Sequence, residues 1–283
     1  MIIEKHFNID PTLARELIDA TTRMTNEKTG DNGFQATKVF LFEEYAVLHM
    51  QNIDVRNVDT PDTDLRHLQR LADTLLHLHA QDVRVLPILS CTSDGGSGYI
   101  IQQKAQGAEL YDRNLTFDKD YVLARVAALS NAPQAQYDKL IADIITITEA
   151  GVLIDFMGKD NFFYHETLGF QFIDLNAHHD YEYGLTDQKP SAPLLAVWNG
   201  FLPCYYDTAP HYRDTVSTVL PALTATQRAT LQAHNQRIFD KCKQALRHNH
   251  IPDAMINETI TNERFLPQQQ QQQVGLCTKQ ISP

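Results

Sequence analysis

The chain is poor in the residues that mark several common classes of protein. Only four of its 283 residues are cysteine (Cys91, Cys204, Cys242 and Cys277), and no two stand in a CxxC pair. That spacing argues against a structural zinc site and a dense disulfide framework, so reduced thiols are expected. Lys and Arg number 24 against 35 Asp and Glu, a formal net charge of -11, and no long basic run interrupts the acid. A nucleic-acid surface needs clustered cations to neutralise phosphates, so nucleic acid is not expected as a partner. No stretch approaches the roughly 18 apolar residues of a membrane-spanning helix. The start, MIIEKHFNID, lacks the apolar core of a signal peptide. A cytoplasmic chain without a membrane span is the expectation. The single tryptophan, Trp198, lies in APLLAVWNGFL, which is apolar all round and reads as a buried helix.

What is present suffices for a large core, since 43% of the residues are hydrophobic. Asp10 as N-cap and Pro11 at the first helical position announce a helix carrying Leu13, Leu17 and Ile18. TNEKTGDNGF then reads as a turn-rich connection, and TKVFLFEEYAVLHM as two strands meeting at Glu43 and Glu44. From Pro61 the spacing of Leu65, Leu68, Ala72, Leu75 and Leu76 predicts an amphipathic helix, and VRVLPILSCT and SGYIIQQ predict two further strands. Beyond Gly107 the pattern turns helical, in DKDYVLARVAAL and then in YDKLIADIITIT, with an apolar stripe of Tyr137, Leu140, Ile141, Ile144 and Ile145. Strands FFY and FQFI follow around the turn HETLG, and Thr224 with Gln227 offers the capping box of a long surface helix. PQQQQQQVGLCTKQISP is of low complexity and is expected to be disordered.

Asn161 and Asp174 stand at the two ends of the FFY/FQFI hairpin, 13 residues apart. A carboxylate and an amide oxygen so placed suit Mg²⁺ bound between nucleotide phosphates. With GYIIQQKAQGAEL running from the last strand of the first part into the helical second part, the order of elements resembles that of the protein kinase-like superfamily. The resemblance implies an α+β, two-lobed fold. Residues 1–106 would form a β-rich N-lobe, residues 107–266 a helical C-lobe, and residues 267–283 a disordered Gln-rich tail.

The resemblance also implies an ATP- and magnesium-dependent phosphotransferase acting on a protein or small-molecule hydroxyl. The adenine would meet backbone groups near Gln102 to Ala105, with Gln103 and Ala105 as cofactor contacts. Asn161 and Asp174 would hold the metal. The family's loop aspartate lies five residues before the asparagine, a place held here by Phe156, so Asp155 is the candidate catalytic residue, orienting or deprotonating the acceptor. In EYAVLHM, His49 stands where the family presents a phosphate-binding lysine, and Lys38 on the preceding strand is the candidate substitute. The helix PDTDLRHLQRLADTLLHLHA contains no Glu to complete an ion pair, and Gly30 and Gly33 form no GxGxxG loop. These departures support a second reading, a catalytically inactive kinase-like scaffold that binds a nucleotide or a partner. An unrelated α+β binding protein is the third. His178, His179 and Asp180, adjacent on one segment, lack the geometry of a tight transition-metal site. His67 and His77 lie ten apart on a predicted helix and read as its solvent side.

Overall fold

A computed structural model describes residues 3–24, 38–51, 72–93, 97–109, 119–154, 162–173, 175–177 and 223–261. The fold is α+β. The chain divides between Ala105 and Gln106 into two compact units.

The first unit is built on a five-stranded antiparallel sheet of order β1-β4-β5-β3-β2. Its strands are β1 (Ile3–His6), β2 (Lys38–Leu41), β3 (Tyr45–Gln51), β4 (Ile88–Ser93) and β5 (Ser97–Gln103). The hairpin turning at Glu43 and Glu44 forms as the alternation predicts, with Lys38 opposite His49 and Leu41 opposite Ala46. β1 is a strand that the sequence reading passed over; it adds to the edge of β4, pairing Lys5 with Cys91.

Helix α1 (Pro11–Thr21) begins as expected, with the Asp10 carboxylate accepting from the N–H groups of Thr12 and Leu13 at 2.8 and 3.1 Å. The backbone donors of the first helical turn thus find a partner. Ala14 and Leu17 of α1 bury against Phe40, Val47 and Ile101, with Tyr45 and Tyr99 packed at the margin. Helix α2 is described over 72–80. Ala72, Leu75 and Leu78 make its buried face, so the stripe continues to Leu78 while Leu76 lies half-buried. Pro61 to Leu68 lie outside the described residues.

The second unit contains helices α3 (Lys119–Asn131), α4 (Gln134–Glu149), α5 (Ala225–His248) and α6 (Asp253–Thr261). Strands β7 (Val152–Ile154) and β10 (Leu175–Ala177) pair antiparallel, and β6 (Ala108–Glu109), β8 (Phe162–His165) and β9 (Gly169–Phe172) form a separate sheet of order β6-β8-β9. The stripe on α4 comprises Tyr137, Leu140, Ile141, Ile144 and Ile147; Ile147 replaces the Ile145 expected from the sequence, which is only partly buried. Gly151 ends the helix at φ +73, the left-handed position that favours glycine after a last turn. Both halves of the capping box at α5 form, Gln227 N–H to Thr224 Oγ1 at 3.2 Å and Thr224 N–H to Gln227 Oε1 at 2.9 Å.

Helix α5 packs on α3 and α4, with Ile238, Cys242 and Leu246 buried on it, and polar groups join the contact. The Lys241 ammonium donates to Ala132 O, Gln134 Nε2 donates to Lys241 O at 3.0 Å, and Asn249 Nδ2 donates to Asp138 O at 3.0 Å. His234 Nδ1 meets the Oγ of buried Ser130 at 2.5 Å. Burial, followed by the Arg237 charge, lowers the His234 pKa below its ordinary value of 6.5. The unfolded chain therefore binds this proton more tightly than the folded one. The stabilising contribution is present above the ordinary pKa and is lost as pH falls through it. Urea midpoints measured from about pH 8 to about pH 5 should fall more steeply in the wild type than in His234→Gln. Parallel curves would refute this contribution.

Candidate functional site

In the first unit, β2 and β3 bring Lys38 and His49 together as direct cross-strand partners. His49 in turn lies opposite Tyr99 on β5, and their rings stack at 4.7 Å with an interplanar angle of 18°. Cross-strand partners share a face, so the strand period places Lys38, Phe40, Val47, His49, Tyr99, Ile101 and Gln103 on one side of the sheet. That is the side on which Ala14 and Leu17 of α1 pack. The opposite face of the same strands carries Val39, Leu41, Ala46, Leu48 and Ile100. Leu41 is 47% exposed there.

Gln103 lies opposite Tyr45 at the end of β5, and its N–H donates to Pro87 O at 3.3 Å. Lys104 is anchored twice, through its N–H to Glu44 O at 2.9 Å and through Nζ to Phe42 O at 3.0 Å. Ala105 follows directly, and its N–H meets no acceptor among the described residues. The strand end is thus held by its own backbone pairings while the last peptide of the unit keeps a donor.

In the second unit, Ile154 lies opposite Leu175 in the β7/β10 pair, and Phe162 lies opposite Phe172 in the β8/β9 hairpin. Asp155, Asn161 and Asp174 adjoin these paired residues in sequence and lie outside the described residues, as do Gly30, Gly33, Trp198, the His178–Asp180 cluster and the tail from residue 267. Behind the strands, α4 buries Asp143, whose carboxylate accepts from Lys139 Nζ at 2.7 Å. On one face of the hairpin Tyr164 and Phe170 turn toward Tyr137 of α4. Burial is the main cause that raises the Tyr164 pKa, Glu166 adds to it, and Arg125 opposes it.

The other face carries a residue that the sequence reading passed over. Gln171, between Phe170 and Phe172, reads as the outward position of a strand, yet it is only 7% exposed. Its side chain accepts from Gln106 N–H at 3.2 Å and donates to Gln106 O at 2.9 Å. No signal in one strand reports a partner 65 residues away.

Among the described residues no group of three His, Cys, Asp or Glu side chains is placed to hold a metal ion, and no helix is long and apolar enough to cross a membrane. Cys91 and Cys242 are buried, and burial pushes the Cys91 thiol up to about 12. It is therefore a packed, protonated side chain rather than a nucleophile.

What the geometry defines is an α+β protein with an antiparallel sheet in one unit and a helix-backed hairpin in the other. No protein-family model and no curated protein matches the chain. Among solved structures, it is similar to WbdD bound to a kinase inhibitor, at 12% identity and a TM-score of 0.33 over 77% of this chain and 46% of that one. A medium-resolution structure of WbdD, described as a bifunctional kinase-methyltransferase, matches at 13% identity and a TM-score of 0.31, over 79% of this chain and 47% of that one. The chain spans less than half the length of these structures.

Proposed function

We propose that the protein has a two-lobed kinase-like fold and is an ATP- and magnesium-dependent phosphotransferase whose acceptor is a protein or small-molecule hydroxyl. The observation that carries this reading is the pairing of the strands beside the three candidate residues. Ile154 stands opposite Leu175, and Phe162 opposite Phe172. Asp155 and Asp174 each adjoin one member of the β7/β10 pair in sequence. Asn161 is one step from Phe162. Two carboxylates and an amide oxygen are donors of the kind that suits Mg²⁺.

When bound, the ion supplies neutralisation of phosphate charge. In this reading Asp174 and Asn161 hold it and Asp155 orients the acceptor hydroxyl and takes its proton. The Ala105 N–H is the donor available to a planar base, with Gln103 beside it.

A specific observation favours the second reading, a scaffold without catalysis. Lys38 and His49 lie on the α1-covered face, and the opposite face of β2 and β3 presents Val39, Ala46 and Leu48. A cationic phosphate contact on that opposite face is missing among the described residues of the hairpin.

Thermal unfolding with ATP and Mg²⁺, for wild type, Asp174→Ala and Asp155→Ala, separates the readings. A ligand bound only by the folded state stabilises by RT ln(1 + [L]/Kd), about 2.7 kcal/mol at about 100 times Kd. The expected result is stabilisation of wild type that Asp174→Ala loses, and phosphoryl transfer that Asp155→Ala loses. No stabilisation at millimolar nucleotide would remove nucleotide binding altogether. Stabilisation without transfer to any acceptor would favour the scaffold.

A further inference from the structure

The chain passes from the first unit to the second through a stretch that is held on both sides. On the first-unit side Lys104 is fixed twice, its N–H donating to Glu44 O at 2.9 Å and its Nζ to Phe42 O at 3.0 Å. Gln103 before it donates its N–H to Pro87 O at 3.3 Å. On the second-unit side Gln106 is fixed at both of its polar backbone groups. The buried Gln171 side chain of β9 accepts from the Gln106 N–H at 3.2 Å and donates to the Gln106 carbonyl at 2.9 Å. An amide buried between two phenylalanines must find partners, and these two bonds supply them.

Residue type alone would nominate Gly107 as the pliant point, since glycine has the widest backbone freedom. The structure holds it instead. A Cβ at Gly107 would collide with the Tyr164 carbonyl group, so the chain there lies directly against β8. The short ladder follows at once, Ala108 opposite Tyr164 and Glu109 opposite Phe163. What remains between the two sets of anchors is Ala105. Neither its N–H, nor its carbonyl, nor the Lys104 carbonyl before it meets a hydrogen-bond partner among the described residues, and the boundary between the units falls directly after it. The torsions that no hydrogen bond holds are therefore ψ of Lys104 and φ and ψ of Ala105.

We infer that Ala105 is a single-residue joint about which the two units turn, and that the Lys104 anchors and the Gln171 clasp keep the rotation from spreading along the chain. Joints of this kind are a few element-terminal residues that absorb the change in φ and ψ while their neighbours stay packed. Here the packed neighbours begin one residue away on either side. Loss of the Gln171 clasp would free the Gln106 peptide and lengthen the joint toward Gly107. The inference needs neither nucleotide nor metal, so it stands or falls apart from the phosphotransferase reading.

The test is the distance distribution between two spin labels in the full chain, read by double electron–electron resonance. The labels sit at Glu16→Cys on α1 and Gln232→Cys on α5, both exposed. Cys204 and Cys277 are replaced by serine, and Cys91 and Cys242 are buried. A second pair inside the first unit, at Glu16→Cys and the exposed Glu43→Cys, gives the width of a distribution that no joint broadens. Ala105→Pro fixes φ at 105 and confines ψ of Lys104 to extended values. It removes an N–H that has no acceptor among the described residues, and φ of Ala105 is not positive. The distribution across the joint should narrow by about twofold in Ala105→Pro and broaden in Ala105→Gly and in Gln171→Met, while the pair inside the first unit keeps its width. If Ala105→Pro does not fold, the other two variants carry the test. A wild-type distribution as narrow as that of the pair inside the first unit, or one that Ala105→Gly leaves unchanged, would overturn the joint. Broadening in Ala105→Gly without broadening in Gln171→Met would overturn the role given to the clasp.

Discussion

Replacement of Phe170 by alanine is expected to destabilise the protein by about 3–5 kcal/mol, the range for removing a fully buried phenylalanine. Phe170 is completely buried. Its ring meets Tyr137 edge-on at 5.2 Å and Tyr164 at 4.9 Å, so one side chain bridges α4 and the hairpin. Tyr137 cannot swing in to fill the space, because its hydroxyl donates to Leu129 O at 2.9 Å. The cavity therefore persists, and the cost sits at the upper part of the range. Urea denaturation followed by circular dichroism measures it. Phe163→Ala, on the opposite and less buried face of the same hairpin, is expected to cost less. Equal midpoints for the two variants would show that the hairpin does not use the packing described here.

The second large effect is expected at Gly107. Gly107→Ala should destabilise by about 1–3 kcal/mol from backbone conformation alone, since φ +98 is one that L side chains rarely adopt. The methyl group adds a collision with Tyr164 O at 2.4 Å and with the Tyr164 carbonyl carbon at 2.8 Å. Both are backbone atoms, so no rotamer change relieves them, and β6 must separate from β8. Hydrogen exchange gives the local readout. Amides of residues 106–109 and 162–165 should lose protection in Gly107→Ala, while the α1 amides of the first unit keep theirs. Unchanged protection across 106–109 would refute the close approach.

The parts of the site that were legible in the sequence are those with a local signature. FFY and FQFI around HETLG carry a strand period on both sides of a polar turn, and they form β8 and β9 with the turn at Glu166, Thr167 and Leu168. Asp155, Asn161 and Asp174 stand in the sequence at the ends of apolar runs and lie outside the described residues. β1 escaped notice because four residues with a mixed pattern become a strand only through β4, more than 80 positions on. Gln171 escaped notice because period-two alternation names two faces and says nothing of what lies against each.

The sequence by itself determined where elements begin and stop. Asp10 and Pro11 start α1, Glu43 and Glu44 turn the first hairpin, Gly151 ends α4, and Thr224 with Gln227 starts α5. Each is settled by hydrogen bonds or backbone preferences within a few residues, so the information is local. The tertiary structure alone decided that α1 covers the face holding Lys38 and His49, that β7 meets β10, and that Gln171 turns inward to the Gln106 backbone. Those outcomes depend on which apolar surfaces and unpaired peptide groups meet across long loops, and no single stretch of sequence carries both halves of such a contact.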